Sequence, residues 1–216
     1  LHRQGIEQLD ALLISHADND HSGGAASLLA EIPVVVQLSS AAPWAEGMAK
    51  QYCRSGQSWQ WENVQFNILS PPELQFSKEN NNSCVLKIQT GKQSILLTGD
   101  IETPSETWLL EHSGAQLPST ILLAPHHGSK TSSSYAFLTQ VNPKLILISA
   151  GHLNRFHFPH APVLERYQQL KLPWLNTAEQ GAISVQMSPD TFQVSTERQL
   201  RRRYWMASPP NLPEIE

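Results

Sequence analysis

Four side chains able to bind a cation fall within six positions: His16, Asp18, Asp20 and His21. They follow the apolar run Ala11-Leu12-Leu13-Ile14. In extended chain, side chains at i and i+2 point to the same side. His16, Asp18 and Asp20 are therefore expected to converge as a strand runs out, while His21 needs a turn to come round. His16 with Asp18 can hold one ion and Asp20 with His21 a second, because paired metal sites sit roughly 3.5–4 Å apart. Ser22 is the expected N-cap of a helix running to Glu31. The competing reading is a polar turn with incidental histidines, but His-x-Asp-x-Asp-His is hard to reach by accident.

Three further segments set polar residues just past apolar runs. In Ile95-Leu96-Leu97-Thr98-Gly99-Asp100, a carboxylate follows a strand and a glycine. Its two oxygens suit Asp100 to bridge two cations; the plainer alternative is a cap on the helix after Pro104. In Ile121-Leu122-Leu123-Ala124-Pro125-His126-His127-Gly128-Ser129, adjacent histidines point in different directions in most backbones. His126, first after the strand, is favoured as the ligand, with His127 free to contact substrate or give up a proton; the reverse order stays open. Ser129 and the hydroxyls that follow can bind an anion at a helix start. In the loop 149–160, Asn154, Arg155, His157 and His160 are suited to phosphate contact or to general acid work. Arginine forms bidentate bonds to phosphate. The alternative is a loop that only caps the next helix.

The elements that must position these groups are short. Strands are expected at Ala11–Ser15, Val34–Leu38, Val64–Leu69, Cys84–Gln89, Ser94–Thr98, Thr120–Ala124, Leu145–Ser149, Ala182–Met187 and Phe192–Ser195. Helices are expected at Ser22–Glu31, Pro43–Cys53, Pro104–Glu111, Ser132–Val141 and Ala161–Leu170. Strands alternating with helices, with some strands adjacent, predict a layered α/β arrangement. At 216 residues one domain is expected. We read it as residues 1–200, with a basic, proline-rich and frayed tail at 201–216.

A net charge of −4 gives no global basic field that would advertise nucleic acid, and nine histidines suit a metal enzyme. No apolar run approaches the roughly 20 residues of a membrane helix, and no secretion signal opens the sequence, so a soluble domain is expected. Cys53 and Cys84 lack the spacing of a zinc knuckle or redox motif. Buried free thiols are the expected state, with one disulfide open if the compartment is oxidising. Arg198, Arg201, Arg202 and Arg203, followed by Tyr204-Trp205, form the one basic-aromatic cluster. It can contact DNA phosphates and bases, or be a solvated tail returning toward a membrane.

Taken in order, His16–Gly24, Asn81-Asn82-Ser83, Leu97-Thr98-Gly99-Asp100, His126-His127-Gly128-Ser129 and Ser149-x-Gly151-x-x-Asn154 resemble the metallo-β-lactamase superfamily. More narrowly, they resemble the C-terminal domain of the ComEC family of DNA-internalisation competence proteins. The resemblance implies an α/β fold, a four-layer αββα sandwich, here without its N-terminal strands, because the family's early Asp-Val-Gly-Gln-Gly-type segment does not precede Leu1. A fragment of a larger membrane protein is then expected.

The resemblance further implies two divalent metal ions held by His16, Asp18, Asp20, His21, Asp100 and His126, with Asp100 bridging. Asp18 stands where the superfamily usually has histidine, and the usual third-motif histidine falls near Asn82-Ser83. Both changes make the site harder and favour Mn²⁺, with Mg²⁺ or Zn²⁺ as alternatives. The ComEC-like pattern shares them. Phe158-Pro159 replaces a frequent His-Pro, leaving His157 or His160 to substitute. The expected activity is that of a metal-dependent hydrolase: a nuclease cleaving DNA phosphodiesters and degrading the strand that does not enter the cell.

Asp20 is then expected to orient water and His127 or His157 to supply a proton. Ser129, Asn154, Arg155, Arg201 and Arg202 are the expected substrate contacts. Expected partners are DNA, the membrane channel of the parent protein and competence DNA receptors, on the periplasmic or external face of the inner membrane. Two other classes compete: a small-molecule ester or lactam hydrolase, and a non-catalytic DNA-binding module.

Overall fold

The computed structural model describes residues 5–40, 50–202, 204 and 210–213. The chain runs β1 (Leu9–Ile14), α1 (Asn19–Ser22), α2 (Ala25–Glu31), β2 (Val34–Ser39), β3 (Lys50–Tyr52), β4 (Ser58–Trp61), β5 (Val64–Ser70), β6 (Val85–Thr90), β7 (Gln93–Leu97) and α3 (Thr103–Ser113). It continues through β8 (Ile121–Leu123), α4 (Tyr135–Val141), β9 (Leu145–Ile148), α5 (Ala161–Gln169), β10 (Trp174–Asn176), α6 (Thr177–Gln180), β11 (Ile183–Met187), β12 (Phe192–Thr196) and α7 (Glu197–Leu200).

Two sheets stack. The larger has seven strands in the order β10-β9-β8-β7-β6-β5-β4, antiparallel from β4 to β7 and parallel from β7 to β10. The smaller is parallel, β1-β2-β3, and β11-β12 form a separate hairpin. Parallel neighbours need crossovers, and α2 to α5 fall between them. On one face of the large sheet Leu96, Leu122 and Ile146 pack with Leu109 of α3, Phe137 and Val141 of α4 and Tyr167 of α5. Its other face brings Ile68, Leu86 and Leu97 against Ala11, Leu13 and Leu38 of the small sheet. This is the layered α/β sandwich the apolar pattern leads one to expect. Among the described residues no helix is long and apolar enough to cross a membrane.

The two sheets are stitched beside the first histidine. Ser15 carbonyl accepts from Cys84 N–H at 2.9 Å and from Ser40 Oγ at 2.6 Å. Cys53 and Cys84, 31 positions apart, form a disulfide that ties the segment after β3 to the start of β6. This corrects the expectation of free thiols: sequence separation carries no sign that β3 and β6 lie in opposed sheets. Cross-links that close a loop of this size stabilise by about 2–4 kcal/mol. The double variant Cys53→Ala/Cys84→Ala is therefore expected to unfold at a lower urea midpoint. Reducing buffer should lower the wild-type midpoint and leave the variant's where it is.

Other expectations shift. The helix expected at Pro43–Cys53 is strand at Lys50–Tyr52, paired with β2, while 43–49 lie outside the described residues. Ser22 does not cap the following helix: it ends α1, its Oγ donates to the Ala17 carbonyl at 2.7 Å, and Gly24 stands at the N-cap of α2. The tail is held where it is described, since Gln180 Nε2 donates to the Pro210 carbonyl at 2.8 Å and Leu212 and Pro213 are half-buried.

Candidate metal centre

The polar loops that follow β1, β7, β8 and β9 meet at one sheet edge. Asp100 is the hub. It is 3% exposed, and its backbone N–H donates to Ser83 Oγ at 3.1 Å. Gly99 before it has φ +54° and passes tightly between Ser15 and Ser83. The Oδ2 of Asp100 faces His16 Nε2 at 3.9 Å and His126 Nε2 at 3.7 Å. Its Oδ1 faces His21 Nε2 at 3.1 Å and His127 Nε2 at 3.5 Å. Asp18 Oδ2 closes the first group, 3.4 Å from His16 Nε2. Asp20 Oδ2 closes the second, 3.3 Å from His127 Nε2.

These separations carry chemical meaning. Two donors bound to one ion at about 2.1 Å sit about 3.0–3.4 Å apart at octahedral to tetrahedral angles. The ring and carboxylate atoms above are spaced near that range and are mostly too far apart for hydrogen bonds to one another. His16 is fully buried and its Nε2 has no hydrogen-bond partner. An unsatisfied buried nitrogen between two carboxylates is costly unless something else occupies the gap. Asp20, His21, Asp100 and His127 each place a ligand atom within 4.8 Å of the others. Asp20, His21, Asp100 and His127 fit a divalent cation, and the other oxygen of Asp100 faces His16 and His126, with Asp18 beside His16.

The rings are held with their inner nitrogens facing Asp100. His127 Nδ1 donates to the Ser149 carbonyl at 2.7 Å, which leaves the Nε2 lone pair of the neutral ring pointing inward. Ser15 Oγ lies 3.1 Å from His16 Nδ1 and 3.0 Å from His21 Nδ1. With both Nε2 atoms offered to cations, both Nδ1 atoms carry protons and donate to this one hydroxyl, which has two lone pairs. His21 Nε2 and His127 Nε2 are 3.2 Å apart, a spacing that requires a proton or a cation between them.

Charge follows the same pattern. Burial pulls the His16 pKa below the usual imidazole value, against the raising effect of Asp100. Burial pulls His21 down as well, but its hydrogen bond to Asp100 and the carboxylate charges around it outweigh this and hold it above the usual value. Burial pushes Asp100 up, yet His21, His127 and His126 together keep it below the usual carboxylate range.

Sequence reasoning missed several residues that set this geometry. Glu102 is buried, and Lys78 Nζ donates to both its oxygens at 2.7 Å. Thr131 Oγ1 donates to the same carboxylate at 2.6 Å, and Glu102 Oε1 lies 3.3 Å from His126 Nδ1. Burial raises the Glu102 pKa, but the bonds from Lys78 and Thr131 outweigh it and hold the carboxyl below its usual range. The i+2 step from Asp100 was the available signal. Asn81 Oδ1 accepts from the Glu102 N–H at 2.9 Å. The segment where the superfamily usually has a histidine thus braces the Asp100 loop from behind.

Of the residues expected to bind metal, His16, Asp18, Asp20, His21, Asp100 and His126 do converge. His127, expected as a proton donor, stands in the cluster as an equal of His126. The reason is backbone: both residues are left-handed, φ 48° and 55°, so consecutive side chains reach the two oxygens of one carboxylate. His157, the other expected acid, is exposed and makes none of the cluster's contacts. Ser129 is buried, and its hydroxyl turns to Thr131 Oγ1 at 3.0 Å rather than to an open anion site. Asn154 binds its own loop: Nδ2 donates to the Gly151 and Phe158 carbonyls, and Oδ1 accepts from the Phe158 N–H.

Arg155 is exposed and lies over the Phe156 ring at 4.7 Å. Arg201 pairs with Glu197 at 2.9 Å and Arg202 is exposed; neither touches the cluster. They follow α7, which packs on α6. Arg203 and Trp205 lie outside the described residues. Beside the cluster runs an open groove of about 420 Å³, lined by Asp20, His127, Asn154, Phe156, Phe158 and Thr177 of α6. A volume of this order is that of a ligand cleft, roughly 300–1,000 Å³.

The sequence matches the family described as the Metallo-beta-lactamase superfamily over residues 1–152. It is 37% identical, over 92% of its length, to Recombination protein 2 of Haemophilus influenzae and spans 25% of that protein. It is 33% identical, over 97% of its length, to Competence protein ComA of Neisseria gonorrhoeae and spans 30% of it. The chain thus spans between a quarter and a third of these curated relatives. Among solved structures, Igni18, described as a metallo hydrolase of the archaeon Ignicoccus hospitalis, shares the fold with a TM-score of 0.51. The likeness covers 86% of this chain and 79% of that one at 12% identity.

Proposed function

This chain belongs to the metallo-beta-lactamase superfamily, and from that premise we propose that it hydrolyses DNA phosphodiesters with two divalent cations. The observation that carries the reading is Asp100, whose two oxygens each face a different pair of histidines. Two more carboxylates stand at the mouth, with Asp18 50% and Asp20 63% exposed in their side chains. Each half-site offers two nitrogens together with carboxylate oxygen. Such a mixed set suits Mn²⁺, with Zn²⁺ as its competitor, and is poorer for Mg²⁺, which prefers oxygen alone. Cations bound there supply charge neutralisation of a phosphate and activation of a water.

The chain's own residues do the rest. Asp20 is placed to accept a proton from a water at the groove side of the cluster. Ser15 and the Ser149 carbonyl keep the rings aimed, and Glu102 sets a carboxylate 3.3 Å from His126 Nδ1. Arg155 stands at the rim, and Arg201 and Arg202 extend from a helix packed on α6, where they can attract a polyanion. DNA enters the reading through the relatives, whose names speak of competence and recombination. The disulfide supports an oxidising compartment, hence the external face of the inner membrane. The proposed task is degradation of the strand left outside. The membrane channel of the same polypeptide and a DNA receptor are the proposed partners.

The test is incubation of linear DNA with Mn²⁺, Zn²⁺, Mg²⁺ or chelator. Degradation is expected with Mn²⁺ and none with chelator. Asp18→Ala and Asp20→Ala should each abolish cutting while a gel shift persists. A persistent shift with no cleavage in any metal would replace the nuclease by a binding module. Turnover of a lactam or thioester with DNA untouched would assign the site to small molecules.

A further inference from the structure

The loop after β9 carries a row of aromatic rings that the metal chemistry leaves unused. The row starts in the cluster. His127 stacks on Phe158, with centroids 5.9 Å apart and planes 26° apart. Phe158 stacks on Phe156 at 5.6 Å and 21°. Phe158 also meets His126 edge-on at 5.6 Å. The row ends at Phe156, which is 54% exposed. An exposed phenylalanine is unremarkable alone. This one terminates a stack anchored on a candidate ligand, and the row His127-Phe158-Phe156 lines the same groove that Asp20 lines. Asn154 makes three side-chain hydrogen bonds, all within the loop that presents the two rings. The loop is thus built as a rigid mount for them.

We propose that Phe156, backed by Phe158, is a stacking platform for an unpaired nucleobase next to the phosphate held at the His127 half-site, so that the chain acts on single-stranded DNA. The inference rests on the DNA reading of the same site. A base inside a duplex has both faces covered, so away from a duplex end it can lie on a protein ring only after leaving the stack, and base-on-aromatic stacking tolerates any sequence because every base has a π-face. Along the groove the lining passes from Asp20 and His127 to the rings of Phe158 and Phe156, which matches a nucleotide's phosphate and base ends. Arg155 now lies over the Phe156 ring. An exposed guanidinium–ring contact is weaker than a stacked base, so a base displaces it. The freed arginine then meets the neighbouring phosphate.

The experiment uses this chain with an oligothymidylate carrying one 2-aminopurine, whose fluorescence is quenched by stacking. Binding is followed with Mn²⁺ and with chelator. Quenching is expected for wild type. Phe156→Ala should lose the quench and bind about tenfold more weakly, inside the roughly 5- to 150-fold span of one stacked base. Phe156→Trp should restore both, and Arg155→Ala should keep the quench. Where cleavage occurs, Phe156→Ala should raise KM on the oligomer and leave KM unchanged on an oligomer of abasic units. Equal quenching in wild type and Phe156→Ala overturns the platform, whatever the cleavage result. So does loss of quench in Arg155→Ala alone. Phe156-dependent quenching without cleavage in any metal keeps the platform and removes the nuclease reading. Cleavage that Phe156→Ala leaves unaltered does the reverse.

Discussion

Replacing Asp100 by alanine is expected to end both metal binding and hydrolysis. Among the described residues, Asp100 is the group whose two oxygens face both halves of the cluster, His16 and His126 with one and His21 and His127 with the other. Losing a partner behind a ligand already lowers metal affinity or activity about 10- to 100-fold. On the proposed two-cation reading, losing a carboxylate common to both ions should exceed the upper figure. Two readouts separate this from misfolding. Wild type should melt at higher temperature as Mn²⁺ is added, because a ligand that binds only the folded state stabilises it. Asp100→Ala and the isosteric Asp100→Asn should show no such rise while keeping the far-ultraviolet spectrum of the wild type. A variant that still gains stability from Mn²⁺ and still cuts would show that the hub lies elsewhere. His157→Ala is the contrasting case: exposed and outside the cluster, it should leave the rate near that of the wild type.

The second large effect is on folding. Gly99 is left-handed at φ +54°, and a Cβ placed there would lie 2.8 Å from both Ser15 Cβ and Ser83 Cβ. Neither neighbour is free to yield. The Ser15 carbonyl accepts from Cys84 N–H at 2.9 Å, and Ser83 Oγ accepts from Asp100 N–H at 3.1 Å while donating to the Asn80 carbonyl at 2.8 Å. A side chain in the left-handed region costs about 1–2 kcal/mol. Overpacking a tight site costs about 1–3 kcal/mol more. Gly99→Ala should therefore destabilise by roughly 2–5 kcal/mol, a fall in Tm of roughly 5–15 °C for a chain of this size. It should also weaken Mn²⁺ binding, because the clash falls on the residue before the hub and on the serine that holds His16 and His21. Gly56→Ala is the control, left-handed at φ +92° with open space around it, and should lose only the conformational part. A Gly99→Ala melting curve that overlays the wild type would refute the packing account.

Much of the frame was legible because it is written in short-range chemistry. Runs such as Ile95-Leu96-Leu97 and Leu145-Ile146-Leu147-Ile148 are apolar because they are strands buried on both faces, and they fall at β7 and β9. β4 was missed, since Ser58-Trp59-Gln60-Trp61 is an edge strand with exposed positions, and so was β10 at three residues. The helix expected at 43–53 gave way at Lys50–Tyr52 to pairing with β2, a long-range contact that overrides local propensity.

The sequence by itself determined which loops carry the chemistry. Histidines and carboxylates crowded behind apolar runs suit a cation, but the extended i+2 step expected of His16, Asp18 and Asp20 is not what brings them together: β1 ends at Ile14 and Asp20 lies in the helical turn α1. Only the tertiary structure decided how those groups divide. Two successive left-handed residues turn His126 and His127 onto opposite oxygens of Asp100, and a serine shared by two rings sets their tautomers. The stacking of two sheets joins Cys53 to Cys84, and the exposed Phe156 becomes the end of a row anchored in the cluster. Each of these depends on a backbone angle, a loop conformation or a contact between distant residues, and none leaves a periodic trace in the order of residues.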